Sequence, residues 1–407
     1  MTPAKMLRAM FDRAVEVADP MQSLARVLPP KPAGRVVVVG AGKASARMAE
    51  AVEAEWGPCE GLVITRYGYG RPCEGIEIVE AAHPVPDEAG AVATRRMLDL
   101  LGRLGEEDFV LALISGGGSA LLTAPATGIT LEEKQKLTQD LLASGAPIGD
   151  INGIRKEISA VKGGRLAAAA YAARMLALMI SDVPGDDPGD IASGPTVGHA
   201  GSAARALRVL STWGVTPPMA IARFLEAGGD PVFPDDPRLS RVDNVIYAAP
   251  SQSLAAAAEI AEAAGYAVEM LGDAIEGEAR EVAADHAARA LAARGPRVIL
   301  SGGELTVTRR GDGVGGPNAE YALALALALK GAPGVHAIAC DTDGVDGAAE
   351  VAGALIGPTT LDGVREAAEA ALDRNDAHGF FGRIGAQVVT GPTLTNVNDF
   401  RAILIEG

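Results

Sequence analysis

The sequence predicts an α/β fold whose first part is a parallel sheet with helices on both faces. Three observations carry this expectation. Apolar runs such as Val36 to Val39 and Phe109 to Ile114 are continuous rather than alternating, as in strands buried on both faces. Each run ends at glycines, and the first passes straight into a helix-forming stretch, the strand–turn–helix order of parallel units. The 50 glycines and 25 prolines are dispersed as punctuation between elements instead of being gathered into disordered tracts. With 407 residues, 48% of them hydrophobic, the chain can fill a large core and has length for two or three domains.

In chain order, residues 5–17 form an amphipathic helix, and Pro29 to Pro32 lead into the first strand. That strand stops at Gly40, and Ala44 to Glu55, rich in Ala, Glu and Met, form the helix that follows. Further strands are expected over 61–66, 76–82, 108–114 and 173–180, with helices over 87–104 and 131–142. Gly228 to Arg238, rich in Gly, Pro and Asp, is expected as the linker. The N-terminal domain is then 1–236 and the C-terminal domain 237–407. The second part opens with a strand over 245–249 and a long alanine-rich helix. It continues with strand 267–271, a helix over 276–294 and strand 297–300. Leu305 to Thr308 alternates like an edge strand, and a helix runs from Pro317 to Leu329. Strands are expected over 335–340, 387–389 and 402–405, the last free to return to the N-terminal domain.

The formal charge of −16 argues against nucleic acid or an anionic membrane as a general partner. Any anion site must therefore be built locally from clustered cations and backbone amides. Three cysteines, Cys59, Cys73 and Cys340, lie far apart without zinc or disulfide spacing, and a reducing cytoplasm is the default. Met1 to Val15 lacks the apolar core of a signal peptide, and the apolar run from Ala167 to Ile180 is too short to span a bilayer. Oligomeric state is not encoded legibly; a homodimer is compatible.

Gly40-Ala-Gly42-Lys43 sits between strand and helix, where bare backbone N–H groups and a helix dipole attract an anion. A dinucleotide fingerprint fits poorly: Ser45 holds the third glycine position, and the second strand ends in Thr65-Arg66, not an acidic residue. Walker A spacing is absent as well. A purely structural tight turn stays open beside the anion reading, and Lys43 favours the latter. Ser115-Gly116-Gly117-Gly118-Ser119 offers consecutive amides for a phosphate or carboxylate nest. Gly117 to Leu121 lacks the last glycine of a nucleophile elbow, which disfavours a serine hydrolase. Ser301-Gly302-Gly303-Glu304 repeats the pattern, with Glu304 a candidate for a metal or a nucleotide hydroxyl. Four of the twelve positions from Arg155 to Leu166 are basic, and Arg155 with Lys156 is assigned to a substrate carboxylate. Asp182 ends a buried strand and is placed as general base or metal-linked carboxylate. Asp341, Asp343 and Asp346 share one oxygen-rich loop suited to Mg²⁺, or to plain Asx turns. Asn396, Asn398 and Asp399 line the same site or close a turn. The five histidines show no ligand spacing; His83, in His-Pro-Val-Pro-Asp87, is placed near the site, and His286 is expected to face solvent.

Taken together, these motifs resemble one family, the glycerate 2-kinases of the type with a MOFRL C-terminal domain. The segments that carry the resemblance are Gly40 to Ala44, His83 to Asp87, Ile114 to Ala120, Arg155 to Leu166, Ser181 to Asp186, Ser193 to Thr196, Ser301 to Glu304, Asp341 to Gly347 and Thr395 to Asp399. They run in order through nearly the whole chain. The resemblance implies a Rossmann-like N-terminal domain, a smaller MOFRL-type α/β domain and an active site between them. It also implies ATP and Mg²⁺, with phosphate placed on the 2-hydroxyl of D-glycerate. Lys43 would then hold the transferred phosphoryl group, and Asp182 would accept the hydroxyl proton or hold Mg²⁺ together with Asp341 and Asp343. Ser115 to Ser119, Arg155, Lys156 and His83 would bind the acid. Gly40, Gly42, Gly302, Gly303, Glu304, Asn318 and Asn396 would contact the nucleotide. One position departs. Some members carry Gly-Gly-Arg-Asn-Gln-Glu where this chain has Gly315-Gly316-Pro317-Asn318-Ala319-Glu320, and that arginine is thought to be catalytic; Arg309 and Arg310 are the nearby candidates to replace it. The alternatives are an NAD(P)H-dependent hydroxypyruvate reductase and a non-catalytic binding protein.

Overall fold

The computed structural model describes all 407 residues, except for the side chain of Ile148. The chain forms two compact units, and neither is a single stretch. One comprises Leu24–Ile180 and Asp186–Tyr247; the other comprises Met1–Ser23, Ser181–Gly185 and Ala248–Gly407.

The first of these is built on a six-stranded sheet. Its strands are β1 (Val36–Ala41), β2 (Glu60–Arg66), β3 (Ile76–Ala81), β4 (Phe109–Ile114), β5 (Arg174–Ile180) and β6 (Val242–Ala248). The spatial order is β3-β2-β1-β4-β5-β6. β1 pairs parallel with β2 on one side and with β4 on the other, so the chain starts in the middle of the sheet and winds outwards in both directions. Every residue of β1 and β4 is buried, which is why their sequences are unbroken apolar runs. The edge strand β3 is mostly half-exposed, and two glutamates, Glu77 and Glu80, interrupt its apolar run. Beside the sheet, the helices Leu131–Ala143, Ile148–Glu157, Ala203–Thr212 and Met219–Glu226 enclose a separate apolar cluster around Leu137, Leu141, Ile154 and Leu210.

The second unit holds a mixed sheet of β7 (Ala267–Gly272), β9 (Arg297–Gly302), β11 (Val335–Asp341), β12 (Gly353–Ile356), β13 (Gln387–Val388) and β14 (Asp399–Ile405), ordered β13-β12-β11-β14-β9-β7. A small pair, β8 (Gly277–Glu278) with β10 (Leu305–Thr306), lies apart from it. The sheet is covered on both faces. Tyr321, Leu323 and Leu325 of the helix Pro317–Leu329 join one apolar cluster, and the helices Pro3–Ala18 and Pro250–Ala263 supply the other. Met6, Leu7, Met10, Phe11 and Ala14 recur at helical spacing on one face of the N-terminal helix. That stripe packs on Leu254, Ala257 and Phe400, with the Phe11 and Phe400 rings 5.8 Å apart.

Three sequence expectations are corrected by this topology. β14 does not return to the first unit; it lies between β11 and β9, antiparallel to both and buried along its whole length. The segment 228–238 is not where the units divide, because β6 follows it and is hydrogen-bonded beside β5, as in Met175 N–H donating to Arg241 O. His286 does not face solvent: it is 5% exposed, and its Nδ1 is 2.8 Å from the Tyr321 hydroxyl. Alanines 279, 283, 287 and 290 flank it on the same buried helix face, and a ring bonded to tyrosine fits among them.

Truncating Phe11 to alanine should cost about 3–5 kcal/mol, the usual range for a buried phenylalanine. Urea denaturation of the variant, followed by circular dichroism, measures it.

Candidate functional site

The strand order of the first unit reverses between β1 and β4. In open α/β sheets, ligands bind beyond the carboxyl ends of the strands at such a switch point. Both glycine turns singled out in the sequence lie there, one after β1 and one after β4.

The two turns are stitched to each other. Lys43 N–H donates to Gly116 O at 2.8 Å, Ala44 N–H donates to Ser115 Oγ at 3.0 Å, and Ser45 Oγ donates to Leu113 O at 2.9 Å. Gly42 is required for this approach. It has φ +145°, and a Cβ there would collide with the Ser115 backbone and hydroxyl. Gly42 N–H donates to Ile64 O, and Ser45 N–H donates to Gly42 O. The amides of residues 42–45 are therefore all occupied, which corrects the expectation of bare N–H groups after β1. What that turn presents is the half-buried side chain of Lys43.

The free amides belong to the second turn. Among the described residues, the N–H groups of Gly116 and Gly117 have no protein acceptor. Gly117 has φ +78°, and a Cβ on it would meet Lys43 Cγ at 3.1 Å and the His83 ring at 3.2 Å. Lys43, His83 and the Gly116–Gly117 amides thus form one group, a cation, an imidazole and two donors around a turn with no side chain. Ser119 Oγ is 2.7 Å from Ser193 Oγ, which brings the Ser193-Gly194-Pro195 motif to the same place. Gly163 N–H and Gly164 N–H donate to Ser193 O and Gly194 O, and this fastens the basic stretch to that loop.

Within the basic stretch the side chains diverge. Arg155 donates to Ser119 O at 3.4 Å and to Asn152 Oδ1. Lys156 turns away and pairs with Asp190 at 3.0 Å, so the two expected carboxylate ligands do not act as a pair. Lys162 is wholly buried and donates to the carbonyls of Ser119 and Leu122 at 2.8 and 3.0 Å. Lys134, not singled out from the sequence, donates to Thr123 Oγ1 and is 4% exposed. Burial, then the positive charge of Arg155, pushes the Lys134 ammonium down to about 7. Burial likewise lowers Lys162 and Arg155. Lys134 was legible in principle: with Leu137 and Leu141 it lies on the buried stripe of its helix, and a lysine there needs a reason.

In the second unit, Asp182 Oδ2 accepts from Asn396 Nδ2 at 3.1 Å, and Asp182 O accepts from Asn398 Nδ2. Asp341 and Asp343 each accept from the amide two residues on, the Asx geometry. Among the described residues, no group of three or more His, Cys, Asp or Glu side chains could hold a metal ion, so Asp182, Asp341 and Asp343 form no cage. Magnesium takes only one or two protein carboxylates beside phosphate and water oxygens and does not require such a cage. Asn318, expected to face a nucleotide, is 1% exposed and donates to Asp399 Oδ1 at 2.7 Å. Burial pushes the Asp399 carboxyl up to about 7, against the nearby Arg401. The Gly302 and Gly303 carbonyls are turned to Arg401 Nη2, while Glu304 is exposed. Asp346 accepts from Asn318 N–H and Ala319 N–H at the start of the helix Pro317–Leu329, where a carboxylate meets the positive end of the dipole. Arg309 and Arg310 are exposed; Arg309 Nε donates to Gly311 O.

Fold and site together define a doubly wound α/β protein with a lysine, an imidazole and two backbone donors gathered at its switch point. Residues 6–226 match the model of a domain of unknown function, DUF4147, and residues 297–399 match the MOFRL family. A protein of Agrobacterium vitis named "Putative hydroxypyruvate reductase" is 49% identical over 98% of this chain and 94% of its own. The D-glycerate 2-kinase of Thermotoga maritima is 38% identical over 95% of this chain and 94% of its own. The crystal structure of Thermotoga maritima glycerate kinase superposes with a TM-score of 0.87 over 99% of both chains, at 35% identity. The chain belongs to the glycerate 2-kinase family with a MOFRL domain.

Replacing Ser115 with alanine leaves the buried Ala44 N–H without its acceptor and should cost about 1–3 kcal/mol. Thermal and urea denaturation of the variant test this.

Proposed function

We propose that this chain transfers the γ-phosphoryl group of ATP to the 2-hydroxyl of D-glycerate, giving 2-phosphoglycerate. The observation that carries the reading is the group at the switch point, with Lys43 and His83 flanking the amides of Gly116 and Gly117, which have no protein acceptor among the described residues. Phosphoryl transfer asks a protein mainly for positioning and charge neutralisation. Lys43 brings a positive charge on a rigidly held turn, and the two amides are fixed donors that need no reorganisation. In this reading Lys43 neutralises the phosphoryl oxygens and the Gly116–Gly117 amides orient them. Asp182, its Oδ2 held by Asn396, takes the proton of the attacking hydroxyl. Asp182, Asp341 and Asp343 are the oxygen donors that would hold Mg²⁺ with the nucleotide, and the ion would supply neutralisation of phosphate charge. Glu304 and Asn396 are the side chains proposed for the nucleotide itself.

Reduction of hydroxypyruvate, the activity in the name of the Agrobacterium relative, is less well supported. The first turn has no amide left for a dinucleotide pyrophosphate, and β2 ends in Thr65-Arg66 where an NAD ribose needs an acidic partner. We also infer a reducing, cytoplasmic setting. The three cysteines are free, and burial raises each thiol, that of Cys73 to about 12. No helix among the described residues is long and apolar enough to cross a membrane.

The purified protein, given D-glycerate with Mg·ATP or hydroxypyruvate with NADH, should release ADP in the first assay and leave NADH unoxidised in the second. NADH oxidation would establish the reductase, and saturable binding without turnover a binding protein. Lys43→Ala should lower kcat by about 10²–10³, the scale for losing one preorganised charge contact, with an unchanged melting temperature. Asp182→Asn should lower kcat by about 10²–10⁴, measured in the same coupled assay.

A further inference from the structure

A cavity of about 330 Å³ opens beside the switch point of the first unit. Pro84, Pro86, Leu131 and Ile151 supply its apolar wall, and Ser119, Gln135, Lys134 and Arg155 its polar one. It shares with the Lys43 group both the segment that begins at His83 and the turn that ends at Ser119. Its floor is unusual electrostatically. Arg155 lowers Lys134, and both lower the neighbouring Lys162; among the described residues none of the three is ion-paired or hydrogen-bonded to a carboxylate. Their hydrogen-bond partners are a hydroxyl, a side-chain amide oxygen and backbone carbonyls. Burying unpaired cations is costly, and an acidic chain with 52 carboxylate side chains has placed none of them against these three. The helix that carries Lys134 is firmly set: Thr130 Oγ1 accepts from Glu133 N–H while Glu133 Oε2 accepts from Thr130 N–H. The inward position of the lysine therefore follows from its register with Leu137 and Leu141.

We propose that this cavity receives the carboxylate of the hydroxy-acid acceptor, gripped by Arg155 and Lys134, with the apolar wall against its carbon chain. The proposal rests on the kinase reading for the identity of the acid. It replaces the expected pair of Arg155 and Lys156 with Arg155 and Lys134, since Lys156 is engaged by Asp190. Lys162 holds the carbonyls of Ser119 and Leu122 and so positions the rim of the cavity. An arriving carboxylate supplies the missing negative charge and favours the protonated lysine. The charged group that lowers Lys134 is Arg155, and Lys162 is in turn lowered by Lys134, Arg155 and Lys156, all of them positive. The free ammonium titrates at about 7, so above neutral pH binding must first recharge it. Affinity for the acid then falls as pH rises from 7 towards 9.

The test compares the full-length wild type with Lys134→Met, which keeps the aliphatic length and removes the charge. D-glycerate binding is measured by isothermal titration calorimetry without nucleotide, and KM and kcat by the coupled kinase assay, between pH 6 and 9. The expected result is a rise of at least tenfold in Kd and KM at pH 6.5, with kcat within threefold of wild type. In the variant the dependence of KM on pH should disappear. Its melting temperature should be no lower than wild type, because an uncompensated buried charge has been removed. Should Lys134→Met nonetheless fail to fold, Arg155→Met is measured in the same way against the same tenfold threshold. A variant with Kd and KM within twofold of wild type, or one that loses kcat alone, overturns the proposal. Wild type that phosphorylates D-glycerate while Lys134→Met binds it unchanged leaves the kinase reading standing without this inference. Wild type that binds D-glycerate through Lys134 but never phosphorylates it does the reverse.

Discussion

The arrangement at the head of the first sheet depends on how closely two turns approach on neighbouring strands. β1 and β4 are adjacent because the chain begins mid-sheet, and the turn after each must pass the other within hydrogen-bonding distance. A side chain at position 42 would prevent that. With glycine there, the amides of residues 43 and 44 reach Gly116 O and Ser115 Oγ, and the first turn becomes a rigid mount. The consequence is a division of labour: one turn gives up its amides to hold the pair together, and the other keeps its amides free and leaves room at Gly117 for the Lys43 and His83 side chains.

Charge is handled in the same economical way. A chain with net charge −16 would repel anionic substrates if its surface alone governed encounter. The first unit counters this by burying cations next to the glycine turn, where low polarity strengthens their field. Lys162 is satisfied by carbonyls, which hold it in place without cancelling its charge. The same burial that strengthens the field lowers the proton affinity of Lys134, so a site of this kind is coupled to pH in a way that a surface lysine is not.

Much of this was legible in the sequence, and the reasons it stopped are physical. The strands of the first sheet could be read because burial on both faces leaves an apolar signature. The location of both turns followed from glycine at the strand ends. Which turn would keep its amides could not be read, because that depends on contacts between residues about 70 apart, such as Ala44 with Ser115. Lys156 and Arg155 are adjacent in sequence yet face different partners, since neighbours on a helix point about 100° apart. His286 was misjudged because a helix of alanines gives little hydrophobic contrast, and its buried face is marked by small size instead. The N-terminal helix packs with the second sheet through a stripe visible in the sequence, but nothing in that stripe names its partner.

Position 317 illustrates how a local rule and a chemical role compete for one residue. Pro317 is the first residue of its helix, where a missing N–H costs nothing and a fixed φ favours helix initiation. Asp346 caps the next two amides, and His378 Nε2 lies 2.9 Å from its Oδ2. The start of the helix is thus secured without any side chain at 317. An arginine there would add a cation that the helix does not need for stability, so its value would be chemical. With proline there, position 317 supplies no cation. The exposed Arg309 and Arg310 are poorly fixed to supply one, whereas Lys43 is mounted on a turn whose every amide is tied down. A preorganised charge stabilises a transition state without reorganisation at the moment of reaction, and that is the property on which the role proposed for Lys43 relies.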